Sequence, residues 1–173
     1  MLKMSRFPEK FHKESAMSDV TVLLVEDHPD DEFLALRALH KARINRVIVK
    51  HEGYEALDYL RSTSGGSSSK GTSPPELIII DINMPMMNGV EMLREIRADP
   101  TLKGLPVAVL TSSANPRDVE KCMELGICAY LTKPAEPEDI AHLLSMLDSQ
   151  ITSDSSREHD ASTGENLPLP LYI

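Results

Sequence analysis

Five polar side chains stand directly after short apolar runs in this sequence. In chain order they are Glu26, Asp27, Asp81, Thr111 and Lys133. Three carboxylates gathered at one place repel one another, and each has its pKa raised unless a cation compensates the charge. A hard divalent cation such as Mg²⁺ relieves this repulsion, because it takes oxygen ligands and bridges to phosphate oxygens. Since no cluster of His or Cys competes for a softer metal, the acidic residues predict a Mg²⁺ site.

The remaining groups complement a phosphoryl group beside that cation. Lys133 would supply positive charge to one phosphoryl oxygen, and Thr111 would supply a hydroxyl donor to another. Asp81 follows the most apolar run and is the natural in-line nucleophile, because carboxylates form aspartyl phosphates. Positioning and charge neutralisation do most of the work in phosphoryl transfer.

Each of these side chains also has an ordinary structural explanation. Glu26 and Asp27 could simply lead into a helix N-terminus, and Asp81 could start a loop as an Asx residue. Thr111 could bond to backbone, and Lys133 could be a solvated surface lysine. Their joint occurrence, each group at the end of a different predicted strand, favours the functional interpretation.

The elements that would position these groups alternate between strand-like and helix-like patterns. Predicted strands cover 20–25, 46–50, 77–80, 106–110 and 128–131, and predicted helices cover 30–42, 54–61, 90–98, 115–126 and 137–147. This alternation predicts an α/β fold, a doubly wound five-stranded parallel sheet with helices on both faces. In such sheets ligands bind outside the carboxyl ends of the strands, where the five polar groups stand.

Polar segments flank the predicted domain, which spans residues 19–150. Residues 1–18 show no clean period and are expected to form a flexible arm, and residues 151–173 a flexible acidic tail. The last seven residues could instead dock as an extended strip. The Gly/Ser-rich stretch 62–75 is expected to be a flexible loop.

Composition excludes several classes of protein. The net charge of −9, with 27 acidic against 18 basic residues, argues against nucleic acid as the main partner. Two cysteines suggest neither a four-ligand metal site nor a disulfide scaffold. No apolar run approaches a membrane span and no signal peptide is recognisable, so we expect a soluble cytoplasmic protein without membrane attachment.

Four ordered motifs together resemble the receiver domain of two-component response regulators. They are Val-Glu-Asp (25–27), Asp-Ile-Asn-Met-Pro-Met-Met-Asn-Gly (81–89), Leu-Thr-Ser-Ser (110–113) and Tyr-Leu-Thr-Lys-Pro (130–134). The resemblance implies a flavodoxin-like sheet of strand order 2-1-3-4-5. It also implies that Asp81 accepts phosphate from a histidine kinase or a phosphotransfer protein. Mg²⁺ would be held by Glu26, Asp27, Asp81 and the backbone carbonyl of Asn83.

The same resemblance implies a conformational switch. Thr111 would be the switch hydroxyl and Tyr130 the switch aromatic, and the peptide bond before Pro134 would be cis. Asn83 and Ser113 would tune the lifetime of the phosphate. The face formed by the fourth predicted helix, the fifth strand and the fifth helix would change its affinity for partners, and a homodimer through this face is a further hypothesis.

The sequence after the predicted domain is short and acidic, so we expect a single-domain regulator without a DNA-binding module. It would not be an enzyme, beyond catalysing its own phosphorylation and dephosphorylation. The loop 62–75 and the motif Asn-Pro-Arg-Asp (115–118) resemble the small response regulators paired with phytochrome kinases.

Three alternatives remain open at this point. A phosphohydrolase of the haloacid-dehalogenase type would carry a second aspartate two residues after the nucleophile, where this sequence has Asn83. A flavin-binding carrier would need a phosphate loop after the first strand, where the acidic pair of Glu26 and Asp27 would repel phosphate. A binding module independent of phosphorylation would require a defunct site.

Overall fold

The computed structural model describes residues 20–64, 73–112, 115–154 and 171–172 of the 173-residue chain. Strands and helices alternate within these ranges. Their bounds are β1 Thr21–Val25, α1 Pro29–Lys41, β2 Arg46–Lys50, α2 Gly53–Ser64, β3 Leu77–Ile80, α3 Gly89–Ala98, β4 Val107–Thr111, α4 Pro116–Glu124, β5 Ala129–Thr132, α5 Pro137–Asp154 and β6 Leu171–Tyr172. The predicted flexible arm, 1–18, and the middle of the predicted loop, 65–72, lie outside the described residues.

The strands form one parallel sheet in the order β2-β1-β3-β4-β5-β6. The predicted five strands and their order 2-1-3-4-5 are therefore confirmed. The central strands β1, β3 and β4 are buried along their whole length, as expected for apolar strands that are covered by helices on both faces.

Two hydrophobic cores lie on opposite faces of the sheet, because successive strand residues point to opposite sides. In β3, Ile78 and Ile80 belong to the core that also contains Leu57 of α2 and Leu93 of α3. Leu77 and Ile79 belong to the other core, beneath α1 and α5. The two faces together hold the strand ends, and the loops that follow them, in fixed positions.

Local sequence signals set the helix boundaries near the site. The Asn88 side chain accepts a hydrogen bond from the Glu91 N–H, and Glu91 returns one to the Asn88 N–H, so α3 begins with a capping box. Asn115 caps α4 through a bond from the Arg117 N–H, and Pro116 follows at the first helical position. After α4, Gly126 takes a positive φ of 71°, a conformation that glycine adopts without strain.

The C-terminal part of the chain differs from the sequence prediction in two ways. Helix α5 continues to Asp154 rather than ending at Leu147, since no Gly or Pro interrupts residues 148–154. A sixth strand, Leu171–Tyr172, pairs in parallel with β5, so this part of the predicted flexible tail follows the alternative of an extended strip that docks. The preceding Leu-Pro repeat favours extended backbone, and β5 would otherwise present the unpaired backbone groups of an edge strand.

An arginine ties the end of α3 to two loops at the amino edge of the sheet. The Arg97 guanidinium donates to the backbone carbonyls of Lys103, Leu105, Leu125 and Gly126 at 2.8 to 3.1 Å. The bonds to Leu125 and Gly126 satisfy carbonyls just beyond the end of α4, and those to Lys103 and Leu105 hold the loop between α3 and β4. None of the helices in the described ranges is both long enough and apolar enough to span a bilayer.

Candidate functional site

The carboxylates of the site are placed by the ends of β1 and β3. The Glu26 N–H donates to the Lys50 carbonyl at 3.0 Å, and the Asp81 N–H donates to the Val25 carbonyl at 3.0 Å. Both residues therefore continue the backbone pairing of the sheet by one step. Glu26 is 0% exposed and Asp81 is 5% exposed, so the sheet presents two buried acidic groups at its carboxyl edge.

Asp27 completes an acidic group with these two residues. One carboxylate oxygen from each of Glu26, Asp27 and Asp81 lies within 4.8 Å of the others. The donor set contains oxygen alone and carries more negative charge than the neighbouring cation neutralises. Oxygen donors and high charge density suit a hard divalent cation of the Mg²⁺ or Mn²⁺ kind, so the three side chains fit such an ion.

Lys133 lies at the centre of the acidic residues. Its Nζ is 2.7 Å from Glu26 Oε2 and 2.9 Å from Asp81 Oδ2. A third carboxylate oxygen, Asp31 Oδ2, is also 2.9 Å away. Burial acts to lower the pKa of Lys133, but its contacts with the three carboxylates outweigh burial and raise the pKa above its ordinary value. The side chain therefore remains an ammonium ion throughout the physiological pH range.

Glu26 shows the electrostatic cost of the arrangement. Burial raises the pKa of the Glu26 carboxyl, and the nearby Asp81 raises it further, whereas Lys133 and the His28 N–H lower it. The balance is a raised pKa, so the folded protein holds this carboxylate in its charged form less readily than water does. A bound cation would relieve this unfavourable charge.

Thr111 connects to Asp81 through Asn83. Thr111 is the last residue of β4 and is fully buried. The Asn83 side-chain amide donates to Thr111 Oγ1 at 3.3 Å, and the Asn83 N–H donates to Asp81 Oδ1 at 3.2 Å. The loop after β3 thus links the carboxylate at the end of one strand to the hydroxyl at the end of the next.

Glycine is required where this loop turns into α3. The Gly89 N–H donates to the Ile82 carbonyl at 3.0 Å, and a Cβ at position 89 would lie 2.3 Å from the Asp81 carbonyl oxygen. Such a separation is far inside van der Waals contact. A side chain at position 89 would therefore displace the backbone of Asp81.

Three further residues belong to the sequence prediction, namely Tyr130, Pro134 and Ser113. Tyr130 lies in β5, is 1% exposed and packs in the core beneath α2, α3 and α4. The Lys133–Pro134 peptide bond is cis. Ser113 lies outside the described residues.

Asp31 was not predicted as a site residue, yet its carboxylate contacts the site lysine directly. It lies in the first turn of α1, where Asp30 and Glu32 are also acidic. The sequence offers one signal: Pro29 at the first helical position fixes where the helix begins and places Asp31 close to the sheet edge. It gives no indication of which of the three acidic residues faces Lys133.

Comparisons with known proteins agree with the geometry. Residues 22–145 match the family model for the response regulator receiver domain. The response regulator Rcp1 of Synechocystis sp. is 35% identical over 129 residues, which is 74% of this chain and 86% of that protein. The two-component response regulator ORR11 of Oryza sativa is 32% identical over 124 residues, covering 72% of this chain and 78% of that one.

A solved structure of the bacteriophytochrome response regulator AtBRR is similar in fold and sequence. It is 35% identical with a TM-score of 0.64, and the match covers 75% of this chain and 92% of AtBRR. A second structure is the Mn²⁺-bound form of the response regulator Rcp1, 31% identical with a TM-score of 0.58, covering 85% of this chain and 99% of that one. Receiver domains hold a divalent metal at the acidic pocket, which is where Glu26, Asp27 and Asp81 meet.

Proposed function

We propose a role in signalling by aspartyl phosphorylation for this chain, which belongs to the response regulator receiver family. Asp81 would accept a phosphoryl group from a phosphohistidine of a histidine kinase or phosphotransfer protein. The observation that carries this proposal is the placement of the Asp81 carboxylate, which adjoins both the acidic group and the Lys133 ammonium. The receiver domain would span residues 19–150.

The chemistry is a substitution at phosphorus. A carboxylate oxygen of Asp81 forms a bond to the phosphorus atom, and the P–N bond of the phosphohistidine breaks. The bonding electrons remain on the imidazole, which leaves as the neutral base after taking a proton from solvent. The product is an acyl phosphate on Asp81.

The neighbouring side chains would stabilise the negative charge on the phosphoryl oxygens. The Lys133 ammonium would contact one oxygen and the Thr111 hydroxyl would donate to another. Mg²⁺, held by Glu26, Asp27, Asp81 and the backbone carbonyl of Asn83, would neutralise further charge when bound. We propose Mg²⁺ among the divalent ions because the donor set contains oxygen alone.

Phosphorylation would act on partners through a shift between two conformations. Thr111 would move toward the phosphoryl group, and Tyr130 would rotate into the space that it leaves. The face formed by α4, β5 and α5 would then change its affinity for a partner or for a second copy of the chain. Since β6 pairs with β5 at the edge of the sheet, a dimer through this face would have to accommodate or displace that strand.

We further propose that the phosphoryl donor belongs to a phytochrome-type kinase, a suggestion supported by the description of AtBRR as a bacteriophytochrome response regulator. Asn83 and Ser113 would tune how long the phosphate persists. The only reactions catalysed would be phosphorylation and dephosphorylation of the chain itself. The phosphohydrolase alternative is not favoured, because the amide of Asn83 cannot act as the general acid that such an enzyme needs.

Acetyl phosphate with Mg²⁺ tests the acceptor directly. Intact-protein mass spectrometry should detect one added phosphoryl group on the wild-type chain and none on Asp81→Asn. Asp58→Asn, which alters an exposed aspartate of α2, should remain phosphorylated. An adduct that persists in Asp81→Asn, or no adduct on the wild type, would contradict the proposal.

Sedimentation velocity tests the proposed dimer. The sedimentation coefficient should rise when acetyl phosphate and Mg²⁺ are added to the wild type, and it should not change for Asp81→Asn. An unchanged coefficient for phosphorylated wild type would remove the dimer from the proposal without affecting the assignment of the acceptor.

A further inference from the structure

The carboxylate of Asp31 stands apart from the other carboxylates around Lys133. Glu26 and Asp81 belong to the acidic group in which one oxygen from each residue lies within 4.8 Å of the others, and Asp31 does not. Asp31 nevertheless accepts a hydrogen bond from the Lys133 ammonium at 2.9 Å. It is also the most open of the three contacts, with a side chain that is 35% exposed.

The contact between Asp31 and Lys133 joins α1 to the loop before α5, and core packing already fixes the positions of these two helices relative to each other. Asp31 lies in the first turn of α1, and Lys133 lies in the loop between β5 and α5, 102 residues later. Further along the same helices, Leu39 of α1 and Leu143 of α5 belong to one core under the sheet. The Asp31 carboxylate is therefore held on a rigid element, at a fixed distance from the loop that carries the lysine.

The three carboxylates cannot all keep equally strong contacts with Lys133 during phosphoryl transfer. A cation at the acidic group would draw on Glu26 and Asp81, and phosphorylation converts the Asp81 carboxylate into an acyl phosphate, whose carbonyl and bridging oxygens no longer carry the carboxylate charge. Both changes weaken the contacts that Lys133 makes on that side. Asp31 is the contact that neither change removes.

We propose that Asp31 is a positioning residue, which anchors the Lys133 ammonium from α1 so that it remains directed at the phosphoryl group on Asp81. This inference rests on the proposed function. Lys133 touches the reacting group, and Asp31 acts through Lys133 alone.

A simpler role for Asp31 is to stabilise the positive end of the α1 dipole, and Asp30 provides the matched control for it. Asp30 is exposed and lies in the same helical turn, and it carries the same charge. The variants Asp31→Ala and Asp30→Ala therefore lose equal charge near the phosphodonor and near the helix N-terminus. Only the first loses the contact with Lys133.

The rate of phosphorylation by acetyl phosphate should separate these effects. For Asp31→Ala we expect the limiting rate at saturating acetyl phosphate to fall about tenfold, because a hydrogen bond to a charged partner is lost. Loss of negative charge should lower the half-saturating concentration of this anionic donor to a similar extent in both variants. Asp31→Glu, which keeps the carboxylate, should recover part of the limiting rate.

The ammonium group itself provides a readout that does not depend on phosphorylation. Nitrogen-15 NMR of the lysine ammonium groups, with the Lys133 signal assigned from the Lys133→Arg spectrum, should show a shifted or broadened signal in Asp31→Ala and an unchanged one in Asp30→Ala. The spectra are recorded on the full chain in chelator. If Asp81 is never phosphorylated, the proposed function fails while this spectrum still reports on the contact.

Three results would overturn the inference. The first is an equal loss of limiting rate in Asp31→Ala and Asp30→Ala. The second is faster phosphorylation of Asp31→Ala, which would mean that Asp31 holds the lysine away from the acceptor. The third is a Lys133 ammonium signal that does not change in Asp31→Ala.

Discussion

Replacing Lys133 with methionine tests the charge balance of the site. The substitution keeps a long apolar chain but removes the ammonium from two carboxylates whose side chains are 1% and 5% exposed, those of Glu26 and Asp81. Removing one partner of a buried ion pair costs about 3–5 kcal/mol. We expect the lower end of this range, because the carboxyl of Glu26 can take up a proton instead of remaining charged.

The stability lost in Lys133→Met should depend on pH, and the direction of this dependence follows from the pKa of Glu26. The pKa of this buried carboxyl is raised in the folded protein above its ordinary value of 4.5. As pH rises past 4.5, the unfolded chain therefore releases this proton before the folded protein does, and the free energy of unfolding falls. Without Lys133 the pKa of Glu26 rises further, so the free energy of unfolding continues to fall up to a higher pH. The raised pKa of Lys133 itself contributes stability that is fully present below its ordinary value of 10.5, outside this range.

Urea unfolding in the presence of a chelator, followed by far-UV circular dichroism, measures the loss of stability and its dependence on pH. We expect Lys133→Met to lose about 3 kcal/mol at pH near 8, equivalent to a fall in Tm of about 10 °C, and clearly less at a pH near 5.5. The control is Lys121→Met, which removes an exposed lysine that lies 3.7 Å from Asp118 and should change stability by less than about 0.5 kcal/mol. Equal losses in the two variants, or a loss in Lys133→Met that is independent of pH, would refute the reasoning.

Three other predictions concern stability. Mg²⁺ at about tenfold above its Kd should stabilise the wild type by about 1.4 kcal/mol in thermal unfolding, and Asp27→Asn should lose most of this gain. If Mg²⁺ does not stabilise the wild type, the acidic group does not bind the cation as inferred. Gly89→Ala should cost about 2 kcal/mol, because its Cβ would overlap the Asp81 carbonyl oxygen. Gly104→Ala, where a Cβ meets nothing within 4 Å, should be neutral in the same urea titration, and equal effects would contradict the clash. Arg97→Met should cost about 2 kcal/mol through its lost bonds to carbonyls, whereas the exposed Arg94→Met should not alter the unfolding midpoint; comparable midpoints for the two would show that those bonds contribute little.

The fold and the main site were accessible from sequence for one physical reason. Parallel strands deliver the residues that follow them to the same edge of a sheet, so locating the apolar runs was enough to bring Glu26, Asp81 and Lys133 together. In the structure the carboxylates of Glu26 and Asp81 both lie within contact distance of the Lys133 nitrogen. The Asn115 cap was equally accessible, because its cause lies within three residues of its effect.

The Asp31 contact and the C-terminal strand were not accessible in the same way. Three acidic residues in one turn are equivalent by composition, and the position of α1 relative to a loop 102 residues away decides which of them meets Lys133. The Leu-Pro repeat favours an extended segment, but the pairing of Leu171–Tyr172 with β5 also depends on an available strand edge, which the rest of the fold supplies. Both features are tertiary in origin.

The sixth strand affects how the protein can be handled in the laboratory. Tyr172 pairs with Tyr130 of β5, and Ile173 follows it directly. A purification tag or fluorophore fused after Ile173 would therefore begin immediately beside the sheet, next to the strand that carries the proposed switch aromatic. Binding measurements made with such fusions should be repeated on the untagged chain.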